Sequence, residues 1–202
     1  MIQVAWRGRD IYLPFTFASR TLIINTRLIH TDGMEMRLTP WITLTTGTFS
    51  AIVSPEEEMV RLLARRDELR RYLFLYISGN YSRLLSRVGD RTARFDVRRA
   101  FTTHQLLTIL REAAHTIIFI EHDPTLFDGA PAHLITTVGR TMQEMAAGSI
   151  VLLYTPVPDR TFGTLAGYAD RIVTLASEQK EEPKGGRGPR ERPAGQVSLG
   201  AF

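Results

Sequence analysis

Gly47 to Ser54 reads Gly-Thr-Phe-Ser-Ala-Ile-Val-Ser and runs into Pro55-Glu56-Glu57. A glycine followed seven residues later by a serine, ahead of a helix start, is the outline of a phosphate-binding loop. Such a loop reads G-x-x-x-x-G-K-[ST]: its glycines let backbone N–H groups close around the phosphates, its lysine supplies charge and its hydroxyl ligates magnesium. Here Ile52 and Val53 stand where the second glycine and the lysine are needed. A β-branched isoleucine resists the backbone that glycine permits, and valine carries no charge to meet an anion. No Gly-Lys pair occurs anywhere in the chain. Nucleotide hydrolysis is therefore not expected, and no cofactor is.

A second group is Glu121, His122, Asp123 and Asp128, which follow the apolar run Thr116–Ile120. Carboxylates at the end of a buried strand are the raw material of a magnesium or manganese site for phosphodiester hydrolysis. That makes a metal-dependent nuclease on Glu121 and Asp123 an alternative, although no second acidic constellation with a catalytic lysine accompanies it. The five histidines show no H-x-x-x-H spacing, so a zinc site is not expected. With no cysteine, disulfides, thiol nucleophiles and iron–sulfur clusters are excluded. Ser50 does not sit in a G-x-S-x-G elbow, which removes the motif for a serine hydrolase.

The elements that would position these groups are those of an α/β protein. Tyr72–Ser78, Arg94–Phe101, Thr116–Ile120, Ile150–Tyr154 and Arg171–Leu175 read as strands, and Trp41–Thr46 as an earlier one. Ser54-Pro55-Glu56-Glu57 is a helix start, Thr102 with Gln105 is a second, and Pro131 opens a third. Strands alternating with helices imply a mainly parallel sheet with helices on its faces. Residues 1–40 read as a β-rich extension, including strands at Ile11–Phe17 and Thr21–Leu28. Residues 41–176 form the core, 177–195 a disordered basic linker and 196–202 an apolar end. No run of about 18 apolar residues is present, and the amino terminus lacks a basic start before an apolar stretch. The expectation is a cytoplasmic protein with no membrane partner.

Five segments, in order, resemble the core of the RecA/RadA recombinase family and its KaiC-like relatives. They are Leu73–Leu84 (LFLYISGNYSRL), Arg98–Leu107 (RRAFTTHQLL), Ile117–Phe127 (IIFIEHDPTLF), Val138–Thr155 and Tyr168–Leu175. The resemblance spans roughly residues 41–175 and implies a RecA-like P-loop NTPase-type core. It also makes Gly47, Ile52, Val53, Ser54 and Glu121 a degenerate nucleotide site, with Glu121 in place of the Walker B aspartate. Thr155-Pro156-Val157 stands where a γ-phosphate-sensing glutamine usually lies. By the same likeness, an active RecA/RadA-type subunit is a possible partner.

Charge and the far carboxyl terminus suggest partners. The net charge is +4, and 23 of the 25 basic residues are arginine. Between Arg61 and Arg99 lie eleven arginines and four acids, a local excess of +7. Arg65, Arg66, Arg70, Arg71, Arg98 and Arg99 are the candidate DNA contacts in that band. The final residues, Gln196-Val197-Ser198-Leu199-Gly200-Ala201-Phe202, fit Q-x-x-[LIM]-x-x-[FY]. This resembles the peptide by which replication and repair proteins bind the sliding clamp PCNA, and the likeness makes Gln196, Leu199 and Phe202 the anchors. Positions three apart share one side of a 3₁₀ turn. Together these features predict a non-catalytic RecA-like accessory protein of DNA repair or recombination, tethered to the clamp; the alternatives are a divergent ATPase or metal-dependent nuclease of DNA repair, or a structural partner of an active RecA-type NTPase.

Overall fold

The structure is a computed structural model that describes residues 3–6, 9–12, 35–39, 42–64, 69, 71–88 and 95–175. Two antiparallel hairpins come first. Strands β1 (Gln3–Trp6) and β2 (Arg9–Tyr12) form one, and β3 (Glu35–Thr39) and β4 (Ile42–Thr45) the other. The second hairpin runs across residue 40, so the expected start of the core falls inside it. The strands expected at 11–17 and 21–28 lie almost wholly outside the described residues.

The remaining strands are β5 (Thr48–Val53), β6 (Phe74–Ser78), β7 (Asp96–Arg99), β8 (Ile117–Glu121), β9 (Ile150–Thr155) and β10 (Arg171–Thr174). They form one sheet in the order β10-β5-β9-β8-β6-β7, and every neighbouring pair is parallel. The helices are α1 (Glu56–Ala64), α2 (Arg83–Val88), α3 (Thr103–Glu112), α4 (Ala132–Met145) and α5 (Arg160–Ala166), with a 3₁₀ turn at Pro124–Phe127. The α/β class, with a parallel sheet flanked by helices, is as the alternating pattern implies.

Right-handed crossovers decide which face each helix covers. The chain steps outward from β5 to β6 to β7, then turns back through β8 and β9 to β10, so α1 and α2 fall on one face and α3, α4 and α5 on the other. Side chains follow the two-residue period of a strand. Leu75, Ile77, Ile118, Ile120, Val151 and Leu153 pack with α3, α4 and α5. Tyr76, Phe119, Leu152 and Tyr154 pack with Met59, Leu63 and Leu84 of α1 and α2. Strands β6, β8 and β9 are buried along their whole length, which is why their sequences are near-continuous apolar runs.

The hairpin β3–β4 is tied to the sheet by Arg171. Its Nε donates to Ser50 Oγ at 2.7 Å and its guanidinium to the Thr43 carbonyl at 2.9 Å. Next to it, the Asp170 carboxylate accepts from the Phe49 N–H at 2.9 Å. The first of these bonds explains the serine in β5: Ser50 is the acceptor for a partly buried guanidinium.

Candidate functional site at the carboxyl edge of the sheet

In open α/β sheets, ligands bind beyond the carboxyl ends of the strands, where neighbouring connections leave toward opposite faces. Here the connection after β5 leaves to one face and that after β9 to the other, and the same is true of β6 and β8. Both crevices are occupied by the protein's own groups.

At the first, the register expected for a phosphate loop does not hold. Gly47 lies in the turn between β4 and β5, at φ 85°, where only glycine is comfortable. Ser54 lies at the other end of β5, roughly 20 Å away at strand rise. Ile52 and Val53 are strand residues, and Ile52 is buried against α1. The structure therefore does not bring Gly47 together with Ser54 and Glu121. The connection from β5 to α1 is Ser54-Pro55 alone, too short to wrap a phosphate. Its groups are engaged: the Ser54 N–H donates to the Thr155 carbonyl at 3.2 Å, and the Tyr154 hydroxyl donates to the Ser54 carbonyl at 3.1 Å. Proline supplies no N–H. The first turn of α1 carries Glu56, Glu57 and Glu58. Three carboxylates there satisfy the helix dipole that would otherwise attract an anion. The Glu57 carboxyl is held below its usual range by its own backbone N–H and then by Arg87.

Glu121 ends β8 and is buried. One carboxylate oxygen accepts from the Tyr76 hydroxyl at 2.7 Å and from the Ser82 hydroxyl, and the other from the Arg83 N–H at 3.2 Å. Ser82 in turn caps α2 by accepting from the Leu85 N–H at 3.0 Å. Burial, and then the Glu121 charge, push the Tyr76 hydroxyl far above its usual range, so it remains a proton donor. Both oxygens of Glu121 are thus committed to fixing α2 against the sheet.

At the second crevice Asp123 caps the 3₁₀ turn, accepting from the N–H and hydroxyl of Thr125 at 3.0 and 2.7 Å. It also lies so close to Gly79 that a methyl group there would overlap its carboxylate. His122 points to the opposite face from Glu121. Its ring is sandwiched near Phe127 and Phe162, its side chain is 1% exposed, and its Nε2 meets Asp159 at 3.0 Å. Its Nδ1 has no partner. Asp159 is the N-cap of α5 and accepts from the Phe162 N–H at 2.6 Å. Burial works to raise the Asp159 pKa, but the Phe162 N–H and His122 outweigh it and hold the carboxyl below its usual range. Among the described residues no three His, Cys, Asp or Glu side chains are grouped to hold a metal ion.

Four of the band's described arginines pair with acids that lie outside it in sequence. Arg83 pairs with Glu56 at 3.3 Å, Arg87 with Glu57 at 3.0 Å, Arg61 with Glu58 at 2.9 Å and Arg98 with Glu112 at 3.3 Å. Arg71 is exposed just before β6, at the amino edge of the sheet, whereas Arg98 and Arg99 sit on β7, toward the carboxyl edge. These three are not one patch. Arg65, Arg66 and Arg70, and the peptide anchors Gln196, Leu199 and Phe202, lie outside the described residues. No helix among the described residues is long and apolar enough to cross a membrane.

The chain is thus an α/β protein with a six-stranded parallel sheet, at whose carboxyl edge Ser54, Glu121 and Asp123 are engaged by neighbouring groups of the same chain. No family model matches it. A protein of Archaeoglobus fulgidus, described as an uncharacterized protein, is 33% identical over 133 residues, which cover 66% of this chain and 67% of that one. The chain belongs to the same family as this archaeal protein.

Proposed function

We propose that the chain is a non-catalytic, RecA-like accessory protein of DNA repair or recombination, held beside DNA by the sliding clamp through Gln196, Leu199 and Phe202. One observation carries the non-catalytic part: the strand-to-helix connection where a nucleotide phosphate would sit is two residues long and faces three glutamates. The metal-nuclease alternative has less support, because the Glu121 oxygens are taken by Tyr76, Ser82 and Arg83 and Asp123 serves as a cap. Partners supply the function in this reading, and the apolar heptapeptide at the carboxyl terminus is the element that recruits them.

The test is a titration of the full chain against purified clamp. Wild-type protein is expected to bind in the micromolar range, and Phe202→Ala to weaken binding roughly thirtyfold, the loss of a buried aromatic anchor. Absence of wild-type binding at about 50 μM, or an unaffected Phe202→Ala variant, would remove the clamp from the account.

A further inference from the structure

Strand β7 is an outer strand of the six-stranded sheet, and Asp96, Val97 and Arg99 on it are exposed. The Ala100 N–H donates to the Ser78 carbonyl of β6 at 2.9 Å. Backbone groups alternate sides along a strand, so those of Asp96 and Arg98 also face β6, and those of Val97 and Arg99 point outward, with no strand beside them among the described residues.

We propose that two copies of this chain pair antiparallel through the outer edges of β7, about a twofold axis at Val97, joining two sheets into one of twelve strands. The sequence of the edge selects this register. Centring the axis on Asp96, Arg98 or Arg99 sets like charges directly opposite each other, which destabilises a strand pair. Centring it on Val97 sets valine against valine and extends the charge cluster that Asp96 and Arg98 form with His115 and Glu112 within one chain, by setting Asp96 against Arg98 of the partner copy, twice by symmetry. The same charges discourage unrelated strands from adding to the edge, so the edge is selective for itself. The contact is short, which places it among weak and transient interfaces. It holds whether or not the chain meets a clamp.

The chain has no cysteine, so single-cysteine variants report the register cleanly. Facing residues at the axis have Cα atoms about 5.5 Å apart, within disulfide reach, whereas Arg98 and its own copy are separated by more than about 7 Å. Val97→Cys is expected to form a disulfide-linked dimer under mild oxidation at least tenfold faster than Arg98→Cys. Sedimentation equilibrium of the wild type at up to roughly 200 μM should show dimer. Val97→Pro removes an outward N–H that β6 does not use, and it should leave a folded monomer. A wild type that stays monomeric over that range overturns the proposal. So does a dimer in which Arg98→Cys cross-links as fast as Val97→Cys. Should Val97→Pro fail to fold, the cysteine pair still decides.

Discussion

Replacing Glu121 with alanine should cost the fold about 3 kcal/mol, because it leaves the Tyr76 hydroxyl, the Ser82 hydroxyl and the Arg83 N–H without their acceptor. For a chain of this size that corresponds to a fall of roughly 6–12 °C in Tm. The sequence position alone suggests a different experiment, in which Glu121 is a relic of a nucleotide site and its loss affects only activity. The structure assigns it to holding α2 on the sheet, so the expected readout is thermal. Glu121→Gln keeps one oxygen acceptor and should lose about half as much. A Glu121→Ala variant melting with the wild type would show that α2 is held by its packing alone.

Asp159→Ala should cost about 2 kcal/mol. It removes the N-cap of α5 and, in the same step, the hydrogen-bond partner of the ring of His122, whose side chain is 1% exposed. The penalty has a predictable pH dependence. The Asp159 carboxyl is held below its usual range in the folded chain, so its contribution is complete above the unfolded value of about 3.9 and disappears as pH falls through the depressed folded value. The gap in Tm between wild type and Asp159→Ala should therefore be steady from about pH 5 upward and should close in stronger acid. Asp159→Asn, still a good cap, should recover most of the stability without that acid dependence. A gap that widens below about pH 4 would contradict this assignment.

What could be read from the residues in advance was whatever is encoded locally. Strands β6, β8 and β9 were legible because burial on both faces demands uninterrupted apolar side chains, and their ends lie within two residues of expectation. The Thr102 cap was legible because Thr102 and Gln105 do satisfy the start of α3 together. Strand β5 reads in the sequence as a loop. Its Thr48, Ser50 and Ala51 look unlike a central strand, and only the fold reveals that Ser50 receives Arg171 from 121 residues away. Glu121 stands out in the sequence but its partners do not, since Tyr76 and Ser82 lie 45 and 39 residues upstream. The pairing of the band's arginines is hidden for a similar reason. A window along the chain counts only its own acids, and folding brings in Glu56, Glu57, Glu58 and Glu112 from either side of it. The short helix α5 carries a local signal in Pro158-Asp159, whose aspartate is its cap.

The central proposal is that a nucleoside triphosphate has no seat at the Ser54-Pro55 connection. Isothermal titration of the full chain with ATP and magnesium tests it most directly. The account predicts no saturable heat up to about 1 mM, and no phosphate released. Saturable binding at micromolar concentration, accompanied by turnover to ADP, would contradict it.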